Sequence, residues 1–298
     1  MASNSFVPVA FSEDINIYCP TDGRFTFYNS PYPAHHMNSG VDIYPRCNFK
    51  EMSFSPVSGK VLETRRVKCP KGKHFKDCGF DWVILIKSSE NTDRIIKILH
   101  VKPTVQRGDK VEPGDELGKL LRSGYFNFWT DPHLHIEVKN PSDPLRVRGG
   151  FKFKSRIEVN NTAPVNNLKG KIVESKSEYS LVVLEDDLKH GIPVDVGGCL
   201  GLLDGGIPHY GYVGTHVNGR PLVDGLITLC SKPIARIETV YHNMCLAKFL
   251  RFHFQVKGIY IGLSLYLFPV LKPFVKMVPP KPGKLIFERS EEISIVIV

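Results

Sequence analysis

The segment TDPHLHIEVKN (130–140) sets two histidines, His133 and His135, two residues apart. Side chains alternate faces along an extended strand. Both imidazoles therefore leave one face, and Leu134, Ile136 and Val138 leave the other. Such a pair can supply one metal ligand and one group that moves a proton or steadies an oxyanion. Two other segments add to the set. KILHVKP (97–103) ends a predicted strand at His100, just before a proline-containing turn, and AHHMNSGVDIYP (34–45) carries His35, His36 and Asp42. Asp42 sits in an apolar strand, where a buried carboxylate needs a metal or a cation as partner. An imidazole and carboxylate set with one position left for water is the chemistry of catalytic zinc.

These residues must be positioned by strands. Short runs rich in Val, Ile, Phe and Tyr alternate with Gly, Pro, Asn and Asp, which predicts an all-β chain. Candidate strands in the first half are 41–44, 59–65, 82–87, 95–100, 116–121 and 133–139. In the second half they are 170–174, 179–184, 226–230, 235–240, 249–257 and 259–267. No long segment shows capped 3.6-residue periodicity, so helices should be few and short. The apolar stretch 258–271, GIYIGLSLYLFPVL, is shorter than the roughly 20 residues of a spanning helix. Pro269 interrupts it, and it reads as a buried strand pair.

In this order, GVDIYP, ILHVKP, RGDKVEPGDELGKLL and DPHLHIEV resemble the motifs of the LytM/lysostaphin-type zinc metallopeptidases, peptidase family M23. The resemblance spans about 39–144. It implies a compact antiparallel β-roll with an open groove, one zinc ion, and a peptide or cross-linked peptide as substrate. Residue by residue, it implies Asp42 and His135 as metal ligands and His100 and His133 as the catalytic histidines. The implied reaction is hydrolysis of a peptide bond by metal-activated water.

One position departs from the pattern. The family's first ligand is a histidine four residues before the aspartate, and Asn38 stands there. An amide oxygen is a poor zinc ligand beside imidazole. By strand parity, His36 shares a face with Asp42, while His35 points away. Six extended residues span roughly 20 Å, so His36 serves as the displaced ligand only if the chain bends at Asn38-Ser39-Gly40. His35, Asn38, or no third protein ligand are the alternatives. The last would make the domain a catalytically degenerate binding or regulatory module with weak or no zinc binding. A carrier-type biotinyl or lipoyl β-barrel would explain SPVSGKVLE and the 105–120 hairpin. It would leave His133 and His135 unexplained, and no acceptor lysine turn stands between the two halves.

The 298 residues divide at Gly149–Phe151 into an M23-like domain (1–150) and a β-rich accessory domain (151–298). The echoes GKVLET/GKIVES, ELGKLL/CLGLLD and HIEVKN/HFQVKG read either as chance similarity among β-rich segments or as a degenerate duplication of the first domain; in the latter, His253 stands where His135 does, with Arg251 at the position of His133. In the second half, His190, His209, His216, Asp187, Asp195 and Asp204 lie among glycines. They read first as tight β turns and second as a groove or metal site. GGCLGLLDGG lacks the GK[ST] of a phosphate loop.

A hydrophobic content of 42% with 23% charged residues is globular and excludes a disordered chain. Lys and Arg exceed Asp and Glu by 39 to 30. With no nucleic-acid-binding signature and no run of five like charges, this reads as a solvated basic surface, and no nucleic-acid partner is expected. Seven cysteines without a CxxC suit a reducing compartment. Cys69 and Cys78 flank a hairpin tip; they read first as free thiols, then as a local disulfide or a zinc site with His74. The N-terminal stretch lacks a basic and an apolar region, so no signal peptide is expected. That favours the cytoplasm, whereas the resemblance suggests the cell wall or the extracellular space.

Overall fold

The computed structural model describes residues 5–159 and 163–298. The chain is all-β, with one four-residue helix among the described residues. It divides into two compact units. The first is Met1–Phe25 with Tyr32–Arg156, and the second is Thr26–Pro31 with Ile157–Val298.

The first unit contains β1 (Phe6–Ser12), β2 (Ile15–Pro20), β3 (Arg24–Thr26, except its last residue), α1 (Pro33–His36), β4 (Val41–Tyr44), β5 (Met52–Phe54) and β6 (Gly59–Lys68). There follow β7 (Phe80–Ser88), β8 (Ile95–Leu99), β9 (Val101–Pro103), β10 (Lys110–Val111), β11 (Glu116–Leu120), β12 (Leu134–Lys139) and β13 (Lys154–Ser155). One seven-stranded sheet runs β10-β6-β7-β8-β12-β4-β3, and smaller sheets run β5-β11-β9 and β13-β1-β2.

Antiparallel register turns the two-residue period of each strand into rows across the sheet. Ile84, Ile98, Ile136 and Val41 stand opposite one another across β7, β8, β12 and β4. All four are fully buried. Each such side chain contributes about 1.5–3 kcal/mol by leaving water. A one-residue slip would bring every one of them to the wrong face, so this row fixes the register. The next row reads Val83, Leu99, His135 and Asp42, and projects from the opposite face. A small apolar cluster of Val83, Leu85 and Ile95, backed by Leu62, Val67 and Leu99, accompanies it.

The 95–100 strand expectation changes at its end. His100 has φ +73°, a left-handed conformation that breaks the strand between β8 and β9. Residues 69–79 form the expected hairpin tip, beyond the last strand pair of Lys68 with Phe80. All seven cysteines are thiols.

The second unit holds β14 (Leu168–Ser175), β15 (Ser180–Leu184), β16 (Ile192–Val196), β17 (Cys199–Ile207), β18 (Tyr212–Asn218) and β19 (Leu226–Leu229). It continues with β20 (Lys232–Tyr241), β21 (Met244–Phe249), β22 (Phe254–Val256), β23 (Ile259–Leu265), β24 (Val275–Val278) and β25 (Glu292–Ile297). The pairings close into two six-stranded rings. One runs β16-β19-β20-β21-β18-β17 and returns to β16; the other runs β23-β22-β25-β14-β15-β24 and returns to β23. They share the β17–β23 pairing. Closure leaves no free edge within either ring. Expected strand 249–257 is broken at 250–253, and stretch 258–271 supplies one strand, β23, rather than a pair. No helix is long and apolar enough to cross a membrane.

The glycine-rich stretch has a packing reason. Asp204 is fully buried and accepts hydrogen bonds from the Thr26 hydroxyl, from the Phe27 amide at 2.8 Å and from His216 Nε2 at 2.9 Å. The His216 ring packs on Phe27 at 5.2 Å. A Cβ on Gly214 would lie 1.8 Å from the Tyr28 ring, and one on Gly205 2.9 Å from the Tyr28 carbonyl. Glycine is required where segment 26–31 approaches the barrel backbone; at Gly205 the φ of +127° requires it as well. Asp204→Ala would strand the buried His216 and an unpaired amide. It should lower unfolding free energy by about 3–5 kcal/mol, read from urea denaturation. A loss below about 1 kcal/mol would mean that this carboxylate is not the anchor.

Candidate metal centre

The site is built from the row that carries Asp42 and His135. These two residues are register partners on β4 and β12, and Asp42 Oδ1 lies 2.8 Å from His135 Nδ1. The third member comes from α1. Tyr32 is its N-cap residue and Pro33 fills its first turn, where a missing N–H costs nothing. The turn presents His35 inward, fully buried, with Nε2 at 3.0 Å from His135 Nδ1 and 3.3 Å from Asp42 Oδ1.

This corrects the expectation of His36 as the displaced ligand. Segment 33–36 is helical, so strand parity does not govern it. Successive residues turn about 100° around a helix, and His36 emerges exposed while His35 is buried. Asn38 is not part of the cluster. It takes φ +62°, which asparagine tolerates better than most residues, and turns the chain out of α1 into β4. Its carbonyl accepts the Phe153 amide at 2.8 Å, and its side-chain amide donates to the Phe153 carbonyl at 3.3 Å. Gly40 completes the fit. A Cβ there would lie 2.8 Å from His135 Cε1 and 3.1 Å from Ala34 Cβ.

Three donor atoms from His35, Asp42 and His135 thus converge in a buried cluster that could hold a metal ion. The donor set suits zinc. Bonds of about 2.0–2.1 Å in a tetrahedron place ligand atoms roughly 3.3 Å apart, and the separations found are 2.8, 3.0 and 3.3 Å. Two imidazoles and one carboxylate are three protein donors, one fewer than a closed four-ligand structural site uses. The electrostatics favour an anionic Asp42. Burial pushes its carboxyl up, but His35 and His133 beside it, with hydrogen bonds from His135 and His35, hold it well below the usual range. His135 is pulled down by burial and raised more by its bonds to Asp42 and Glu137, reaching about 9 in the metal-free protein.

His133 and His100 lie beside this cluster. His133 Nδ1 bonds the Asp131 carbonyl at 2.9 Å, and its Nε2 lies 3.7 Å from Asp42 Oδ2. Its ring stacks on Phe126 and packs against Tyr44, each with centroids 4.7 Å apart. Burial pushes its pKa down to about 4. The His100 ring is 5.0 Å from that of His133 and 6.2 Å from that of His135. Both histidines are buried, where an isolated His100 would be expected at the surface.

Sequence reasoning missed what holds His100. Asp81, on β7, accepts the His100 Nδ1 proton at 2.6 Å through Oδ2 and the His100 backbone amide at 3.0 Å through Oδ1. Burial raises the Asp81 carboxyl, and the His100 imidazole more than offsets it, leaving the group ionised. The left-handed His100 conformation is therefore clamped from both backbone and side chain. The signal was available: Asp81 opens DWVILI as Asp42 interrupts GVDIY, a carboxylate in an apolar strand. Asp81 and Val83 alternate onto the same face, in the row system of His135.

Residues 16–155, just under half of the chain, match a family model described as domain of unknown function (DUF8155), N-terminal domain. No curated protein matches. Two solved structures are similar at low TM-score. The solution structure of lysostaphin has a TM-score of 0.28 and 13% identity, covering 91% of this chain and 96% of that one. The antimicrobial peptidase lysostaphin from Staphylococcus simulans has a TM-score of 0.29 and 12% identity, covering 91% and 95%.

Proposed function

We propose that the chain is a zinc-dependent metalloendopeptidase of the LytM/lysostaphin type, with His35, Asp42 and His135 as the metal ligands and His100 and His133 as the catalytic histidines. The observation that carries the reading is the convergence of three buried donor atoms within 3.3 Å of one another. The motif order of segments 39–144 adds to it. When bound, zinc supplies Lewis acidity and activates water at neutral pH.

The chain's own residues divide the remaining work. His133 gives its Nδ1 proton to the Asp131 carbonyl, so Nε2 is the atom that can accept a proton on the cluster side. Its depressed pKa keeps it neutral at pH 7, as a base must be before it acts. His100 gives its Nδ1 proton to Asp81, which fixes the tautomer and leaves Nε2 to exchange a proton with substrate. The Asp81 carboxylate stabilises the imidazolium that forms when His100 takes up a proton. The substrate class is a peptide or cross-linked peptide with small residues at the cleaved bond.

Metal content tests the ligand set. Metal-stripped protein refilled with zinc should bind one ion tightly. His35→Ala, Asp42→Ala and His135→Ala should each lose it, and His36→Ala should keep it. Tight zinc in His35→Ala would remove that residue from the site; none in the wild type would leave the degenerate binding module as the reading. Hydrolysis of a quenched-fluorescent oligoglycine peptide tests the catalytic roles. His133→Ala should retain zinc and lose about 100-fold or more in rate, and Asp81→Asn should retain zinc and slow turnover through the wrong His100 tautomer. Full activity in His133→Ala would dispose of the mechanism.

A further inference from the structure

The face of β12 that carries His133 and His135 continues into Glu137 and Lys139, and all four are buried. Glu137 stands opposite Lys97 in the β8 register. Lys97 Nζ makes a short ion pair with Glu137 Oε1, and Lys139 Nζ lies 3.4 Å from Oε2. Lys139 also donates to the carbonyls of Arg146 at 2.8 Å and Arg148 at 2.9 Å. Stability is a weak reason for such a trio. Desolvating the three charges costs several kcal/mol per ion, and well-packed apolar residues of like volume would serve as well or better. The neighbouring rows of this sheet are filled with isoleucine, leucine and valine, which shows what the position could hold.

The odd element of the trio is what Glu137 faces. Its Oε1 lies 3.4 Å from His135 Nε2, at the long end of hydrogen-bond range. The other nitrogen of that ring, Nδ1, belongs to the donor cluster with Asp42 and His35. With Nδ1 given to a metal, Nε2 carries the ring's one remaining proton, and Glu137 Oε1 is the acceptor it faces. The two lysines aim the Glu137 carboxylate, since each takes one of its oxygens.

We infer that Glu137 is a positioning residue for the metal centre: its carboxylate, held by Lys97 and Lys139, accepts the His135 Nε2 proton and so fixes the tautomer and orientation that present Nδ1 as a ligand. The inference rests on the proposed ligand set. A carboxylate behind a ligating imidazole raises ligand basicity, and losing it commonly weakens metal binding by 10–100-fold.

The experiment measures zinc affinity of the full chain by competition with a chromophoric chelator, for wild type, Glu137→Gln, Lys97→Met and His135→Ala. Glu137→Gln should bind zinc about 10–100-fold more weakly. Lys97→Met, which removes one of the two contacts that hold Glu137 and leaves its carboxylate, should weaken zinc binding by less than Glu137→Gln does. In zinc-loaded wild type, long-range proton–nitrogen spectra should show His135 protonated at Nε2 and metal-bound at Nδ1. That readout needs no variant to fold. A Glu137→Gln protein within threefold of wild type, or a His135 proton on Nδ1, would overturn the inference. If wild type takes up no zinc, the ligand set falls and this inference with it. If His135→Ala loses zinc and Glu137→Gln does not, the ligand set stands and only the inference falls.

Discussion

The antiparallel pairing of β4 with β12 is the constraint on which the candidate site depends. It sets Asp42 directly opposite His135 and, one residue on, Val41 opposite Ile136. The second pairing belongs to an apolar row that continues through Ile98 and Ile84, and that row cannot slip without exposing itself. Hydrophobic burial on one face therefore holds a carboxylate and an imidazole 2.8 Å apart on the other. The pair is not what drives its own burial, because desolvating both groups can cost more than their attraction returns.

Around that pair, irregular backbone does what strands cannot. A ligand from the same strand as Asp42, six or seven residues away, would lie far out of reach. The one-turn helix α1, the left-handed Asn38 and the bare Cα of Gly40 fold the chain back so that His35 meets the cluster from a third direction. His100 illustrates the same economy. It sits at the break between β8 and β9 in a conformation disfavoured for a side chain with a Cβ, and Asp81 binds both its amide and its ring. Strain concentrated at Asn38 and His100 is held by hydrogen bonds to well-buried partners.

In the second unit, a single carboxylate organises a different problem. Asp204 gathers Thr26, Phe27 and His216, and glycines at 205 and 214 leave the space that Tyr28 fills. The acidic and histidine residues that looked like a possible groove or metal site at 204 and 216 are thus a buried anchor. The expectation of turn glycines is only part of the account, since Gly214 is fixed by a close approach inside a strand.

Much of this was legible in one dimension. The all-β class follows from short β-branched and aromatic runs between turn residues, and alternation in HLHIEVK assigns His133, His135 and the apolar row to opposite faces without any structure. Asp42 is marked by its apolar surroundings, and the same signal, had it been applied to DWVILI, would have marked Asp81. What the chain could not declare was which neighbour of Asn38 faces inward. Strand parity chose His36, and a four-residue helix reversed the choice, because so short a segment carries no readable period. Nor could linear order reveal that His35 from α1 and His100 from the break after β8 come to His135, or that 26–31 packs with residues nearly two hundred positions later. Local pattern determines which face a side chain leaves; only long-range register and close backbone approach decide which side chains meet.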